Sequence, residues 1–113
     1  MESNAAVAAL AALAQESRLA IFRLLVQTGP SGLAAGKIGE ALGIGPSSLS
    51  FHLKELTHAG LVSWRQESRY VIYSASFQTM NELLIFLTDN CCGGAPRLPG
   101  SVVECSQAEE ASP

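Results

Sequence analysis

The run PSSLSFHLKELTHAG, residues 46–60, constrains this chain more than any other stretch. Leu49, Leu53 and Leu56 recur at i, i+4 and i+7, which places them on one face of a helix. Pro46 suits a first helical turn and Gly60 a C-terminal stop. The opposite face carries Ser47, Phe51, Lys54 and His58, with Ser48 and Ser50 on its flanks. Leucines therefore pin this helix on one side, and small hydroxyls, one aromatic ring and one cation stand on the other. Two β-like runs follow at once, LVSWRQ and RYVIYSA, around Glu67-Ser68.

The segments before and after fit one architecture. Residues 5–13 are rich in Ala and Leu and favour helix. SRLAIFRLLVQTG carries a dense apolar stripe that Gly29-Pro30 stops, and a short loop is expected after it. AAGKIGEALGIG gives a short helix with Ile38 and Leu42 four apart, and FQTMNELLIFLTDNCC reads as a final helix. The fold class is mainly α with a β-hairpin, a winged helix-turn-helix of order α-α-α-α-β-β-α. Residues 1–92 are expected to form this domain, and residues 93–113 a flexible Gly/Pro-rich tail that carries Cys105.

Such a surface suits duplex DNA. Small polar side chains fit the major groove and bond base edges or phosphates, and Phe51 suits a thymine methyl. Ser47, Ser48, Ser50, Phe51 and Lys54 are the candidate contacts on the helix. His52 lies at the edge of the leucine stripe and either packs locally or joins them. Arg65 and Arg69 flank the hairpin tip, where they suit phosphate or minor-groove contact; an ordinary charged hairpin edge is the plainer reading of each. The net charge of −3 does not oppose this, because Glu104, Glu109 and Glu110 lie in the tail while six of the seven Lys/Arg fall between Arg18 and Arg69.

One copy would hold few phosphates, and two copies on a two-fold site would hold twice as many. The first and last helices are apolar nearly all round, so a homodimer built on both is expected, the alternative being that they only complete a monomer core. No stretch reaches the roughly 18 apolar residues of a membrane span. The apolar start follows Glu2 without Lys or Arg, unlike a secretory signal, so a cytoplasmic location with no membrane partner is expected. No hydrolytic triad, P-loop or metalloprotease motif occurs, nor the Cys-x-x-Cys of a thiol oxidoreductase, so no enzyme activity is expected and no cofactor is required. A winged helix used only for protein contact remains a separate reading.

LAQESRLAIFRLL, LSFHLKELTHAGLV and RYVIYSA together resemble the ArsR/SmtB winged-helix metalloregulatory repressors over about residues 9–90. The resemblance implies a dimer that sits on double-stranded operator DNA until an inducer weakens its grip. Two family patterns are missing. The commonest arsenic site is a Cys-x-Cys pair in the helix before the recognition helix, and AAGKIGEAL has no cysteine. Zinc-sensing members use Asp and His on the last helix; here Asp89 is present but the only histidines are His52 and His58.

Candidate ligands are therefore Cys91, Cys92 and Cys105, expected as free thiols in a reducing compartment. Thiolates select soft ions, tetrahedral zinc wants four Cys/His ligands, and three sulfurs suit the trigonal pyramid of trivalent arsenic or antimony. Family members with a Cys-Cys pair after the last helix are similar and respond to arsenite. The expected inducer is As(III), with Sb(III) as a further candidate. If Cys105 is incidental, two thiols suit an organoarsenical. Cadmium or a thiol-based redox signal are the remaining alternatives.

Overall fold

The computed structural model describes residues 1–94. Its elements are α1 (Ser3–Leu13), α2 (Glu16–Thr28), β1 (Leu33–Ala34), α3 (Ala35–Leu42), α4 (Pro46–His58), β2 (Val62–Glu67), β3 (Tyr70–Ala75) and α5 (Phe77–Leu87), followed by a 3-10 turn, Cys91–Gly94. The chain divides inside α5 into two compact units, Met1–Leu83 and a second beginning at Leu84.

The core of the first unit follows the leucine and isoleucine stripes. Ile21 and Leu25 of α2, Ile38 of α3, Leu56 of α4 and Leu61 before β2 are almost fully enclosed. Burying each such side chain contributes roughly 1.5–3 kcal/mol. α1 enters through small residues only: Ala6, Ala9 and Ala12 are buried while Val7 and Leu10 face outward. Methyl-sized side chains let its backbone lie close to its neighbours. Its C-terminus is closed from outside, because Arg18 Nε donates to the Ala12 carbonyl at 2.6 Å. A cation there also offsets the negative end of the helix dipole. Gln15 accepts from the Arg18 backbone N–H and so caps α2.

The sheet has three antiparallel strands in the order β1-β3-β2. From the sequence only a loop is expected where β1 lies. Two residues form it, Leu33 opposite Tyr73 and Ala34 opposite Ile72. Gly32 makes the approach feasible: its φ is +75°, and a Cβ there would lie 2.5 Å from the Tyr73 carbonyl oxygen. The hairpin β2–β3 runs in register from Val62 opposite Ala75 to Glu67 opposite Tyr70. Ser68 turns it, with φ +58°.

Ser76 begins α5, accepting from the Thr79 N–H through its hydroxyl. The helix is shorter than its sequence suggests, ending at Leu87 instead of running into the cysteines. The Thr88 hydroxyl bonds back to the Leu84 carbonyl, and Asn90 takes a left-handed φ of +58°, which a helix does not continue through. No single helix among the described residues is long and apolar enough to cross a membrane; α1 and α2 would pass together by length and composition but are bent by 101°.

Candidate nucleic-acid interface

α3, a three-residue turn and α4 form the centre of the site. Gly43 ends α3 in the left-handed region, φ +66°, with its N–H on the Gly39 carbonyl. The Ile44 N–H returns to the same carbonyl at 3.0 Å. Gly45 then takes an extended conformation and Pro46 opens α4, where a missing N–H costs nothing. The two helices meet at Gly39, whose absent Cβ would lie 2.9 Å from the Ile44 carbonyl oxygen and 3.2 Å from Leu49 Cδ2.

α4 divides as its periodicity requires. Leu49, Leu53 and Leu56 are buried. Ser47, Ser48, Ser50, Phe51, Lys54 and His58 are exposed. Phe51 leaves 56% of its surface open, a large apolar group standing among hydroxyls. Lys54 forms no ion pair among the described residues. His52 is half-buried, its ring edge-on to Phe51 at 5.8 Å and 63°. Its Nδ1 is enclosed without a hydrogen-bond partner among the described residues. That atom does not face solvent, so His52 belongs with the packing residues more than with the open face.

The wing differs between its two arginines. Arg69 stands exposed beside the turn, with no hydrogen bond or ion pair among the described residues. Arg65 donates from Nε to Glu67 Oε2 at 2.5 Å and from its terminal nitrogen to the Ser31 carbonyl at 2.7 Å. Sequence reasoning misses Trp64 and Tyr70, each 57% exposed on the same hairpin. Their signal is present in the chain, since both are aromatic and each neighbours one of the two arginines.

The cysteine candidates lie elsewhere. Cys91 and Cys92 sit in the turn after α5, not on the helix. Cys91 is a free, half-buried thiol, and Cys92 is disulfide-bonded, where free thiols are expected from the sequence. The Cys91 N–H bonds the Thr88 carbonyl at 3.0 Å, and the Thr88 N–H bonds that of Leu84, which ties the cysteine turn to the last turn of α5. Among the described residues no three His, Cys, Asp or Glu side chains converge as a metal site. Cys105 lies outside the described residues.

Comparison with known proteins gives one consistent picture. A helix-turn-helix domain model matches residues 13–63, which span α2, α3 and α4. The chain is 44% identical over 71 residues to the uncharacterized HTH-type transcriptional regulator YceK of Bacillus subtilis, covering 60% of this chain and 70% of that one. Among solved structures it is similar to HlyU from Vibrio cholerae, with 38% identity, a TM-score of 0.61, and 77% of this chain and 97% of that chain covered. An ArsR-like transcriptional regulator from Rhodococcus sp. RHA1 superposes with a TM-score of 0.67 at 25% identity, over 74% of this chain and 76% of that one.

Proposed function

The chain belongs to the winged helix-turn-helix transcriptional regulators of the ArsR/SmtB type, and from that premise we propose that it is a homodimeric repressor released from operator DNA when trivalent arsenic or antimony binds its C-terminal thiols. One observation carries the DNA half of the proposal. α4 is anchored by three buried leucines and turns four exposed hydroxyl- or ring-bearing side chains, Ser47, Ser48, Ser50 and Phe51, together with Lys54, to solvent. The hydroxyls and Lys54 position the helix on phosphates and base edges, Phe51 takes a thymine methyl, and Arg69 reaches the backbone from the wing. Dimerisation is supported by apolar side chains with no cover of their own: Val7 and Leu10 on α1, Ile85 and Leu87 on α5.

The sensing half rests on donor chemistry. Three thiols replace the three hydroxyls of arsenious acid and release three waters, giving a three-coordinate As–S centre. Cys92 enters this reaction only after a thiol reductant has delivered two electrons and two protons to its disulfide. Metalloid capture at Cys91 and Cys92, with Cys105, bends the turn whose backbone bonds lead through Thr88 to Leu84, and so moves the end of the dimer helix. A coupling of about 1–3 kcal/mol weakens operator binding by roughly 5- to 150-fold.

The disulfide at Cys92 favours a second reading. Two thiols oxidised by peroxide give one disulfide and two waters, and that covalent change acts on the same turn without any metal. One experiment separates the readings. A reduced protein–duplex complex is titrated with arsenite, and separately with hydrogen peroxide, for the wild type and for Cys91→Ser/Cys92→Ser. The arsenic reading expects arsenite to release the wild type only, with DNA binding of the variant unchanged. Release of the variant by arsenite contradicts it, and release of the wild type by peroxide alone supports the redox reading.

A further inference from the structure

We propose that Arg65 is a clamp that positions the wing and is not itself a phosphate ligand, an inference that rests on the reading of α4 and the wing as a DNA-contacting pair. Both directions of its guanidinium are used inside the protein. Nε donates to Glu67 along the same strand, and the terminal nitrogen donates to the Ser31 carbonyl, 34 residues back in the chain. Arg65 lies opposite Ile72 on β3, and Ile72 lies opposite Ala34 on β1. The side chain therefore crosses the face of the sheet from the β2 edge to the backbone beside β1.

The far anchor is firm. The Gly29 N–H bonds the Leu25 carbonyl and the Gly32 N–H bonds the Gly29 carbonyl, so the loop holding Ser31 continues from the end of α2. Gly32 lies directly against the Tyr73 carbonyl. Arg65 thus ties the outer strand of the wing to a backbone already fixed against the inner one. Only a planar fork donates in two fixed directions at once; an ammonium is a point charge without that geometry. The Glu67 carboxylate also neutralises the guanidinium, so the pair presents no net charge to a phosphate. The uncompensated cations of α4 and the wing, among the described residues, are Lys54 and Arg69.

The test is a set of anisotropy titrations of a labelled duplex with the full chain, at several salt concentrations, for the wild type, Arg65→Lys, Arg65→Met (made throughout together with Glu67→Gln, so that no carboxylate is left uncompensated) and Arg69→Met. A loosened wing must be ordered again on binding, so both Arg65 variants bind about tenfold more weakly, to the same extent at every salt concentration. Their salt slope equals that of the wild type. Arg69→Met lowers the slope by about 0.9 per protomer, or about 1.8 per dimer. Trp64, the one tryptophan of the chain, adjoins Arg65 on β2, and its emission anisotropy in the free protein falls in both Arg65 variants. Arg65→Lys binding like the wild type, a slope lowered in Arg65→Met as in Arg69→Met, or an unchanged Trp64 anisotropy overturns the proposal. If the wild type binds no duplex while the Trp64 anisotropy still falls, the clamp stands and the DNA reading fails. Should Arg65→Met melt below the working temperature, Arg65→Lys carries the test alone.

Discussion

Replacing Gly39 by alanine sets two effects of known sign against each other. Gly39 is interior to α3, where alanine is better than glycine by about 0.8–1 kcal/mol on propensity alone. The new Cβ, however, meets the Ile44 carbonyl oxygen at 2.9 Å and Leu49 Cδ2 at 3.2 Å. The first neighbour is backbone, and its residue is already held by the Ile44 N–H bond to the Gly39 carbonyl. The second belongs to a leucine only 5% exposed. Neither gives way without shifting α4, and overpacking of this kind costs typically 1–3 kcal/mol. The steric term outweighs the propensity gain over most of that range, and Gly39→Ala loses roughly 1 kcal/mol net, within about 0–2 kcal/mol. Gly36 is the control. It lies in the same helix with nothing within 4 Å of a Cβ, so Gly36→Ala gains about 0.5–1 kcal/mol. Urea denaturation followed by circular dichroism reads both, at one fixed protein concentration because the stability of a self-associating chain depends on concentration. A domain near this size shifts its Tm by roughly 4–8 °C per kcal/mol, so the two variants move visibly in opposite directions. Gly39→Ala as stable as Gly36→Ala would refute the close meeting of α3 and α4 that sets the angle of the recognition helix.

Other perturbations follow from single contacts. Arg18→Met removes the donor to the Ala12 carbonyl and the cation at the α1 C-terminus, and costs about 1 kcal/mol by urea denaturation; an unchanged midpoint would show that α1 closes without it. Ile85→Glu, at a position 62% exposed, shifts the proposed dimer to monomer in sedimentation and removes the concentration dependence of melting; a dimer persisting at micromolar concentration would place the contact elsewhere.

How much of this was legible in the sequence depended on range. α4 announced itself because three leucines at helical spacing lie between a proline and a glycine, all within fifteen residues. The α3–α4 turn was legible for the same reason, through Gly43 and Gly45. β1 was not, since two residues carry no periodicity and exist as a strand only by pairing with Ile72 and Tyr73, some forty positions on. The end of α5 was hidden because its apolar run flows into Thr88-Asp89-Asn90 with no glycine or proline; the back-bonded Thr88 hydroxyl and the left-handed Asn90 stop it instead. Arg65 and Arg69 looked alike, four positions apart around one turn. The Ser31 carbonyl that distinguishes them is a long-range partner and leaves no local trace. The exposed faces of α1 and α5 were readable as surplus hydrophobicity, although the sequence did not say which side chains would remain open.

On the proposed reading, the serine-and-phenylalanine face of α4 reads duplex DNA in a two-fold assembly. Selection from a random duplex library, followed by anisotropy titration of the enriched sequence, tests it with no operator assumed. The expected product is an inverted repeat with half-site centres about one helical turn, roughly 34 Å, apart, and Ser50→Ala/Phe51→Ala loses the preference for it over random duplex. No enriched duplex at any salt concentration, or a preference untouched by that double substitution, would contradict DNA reading by this face.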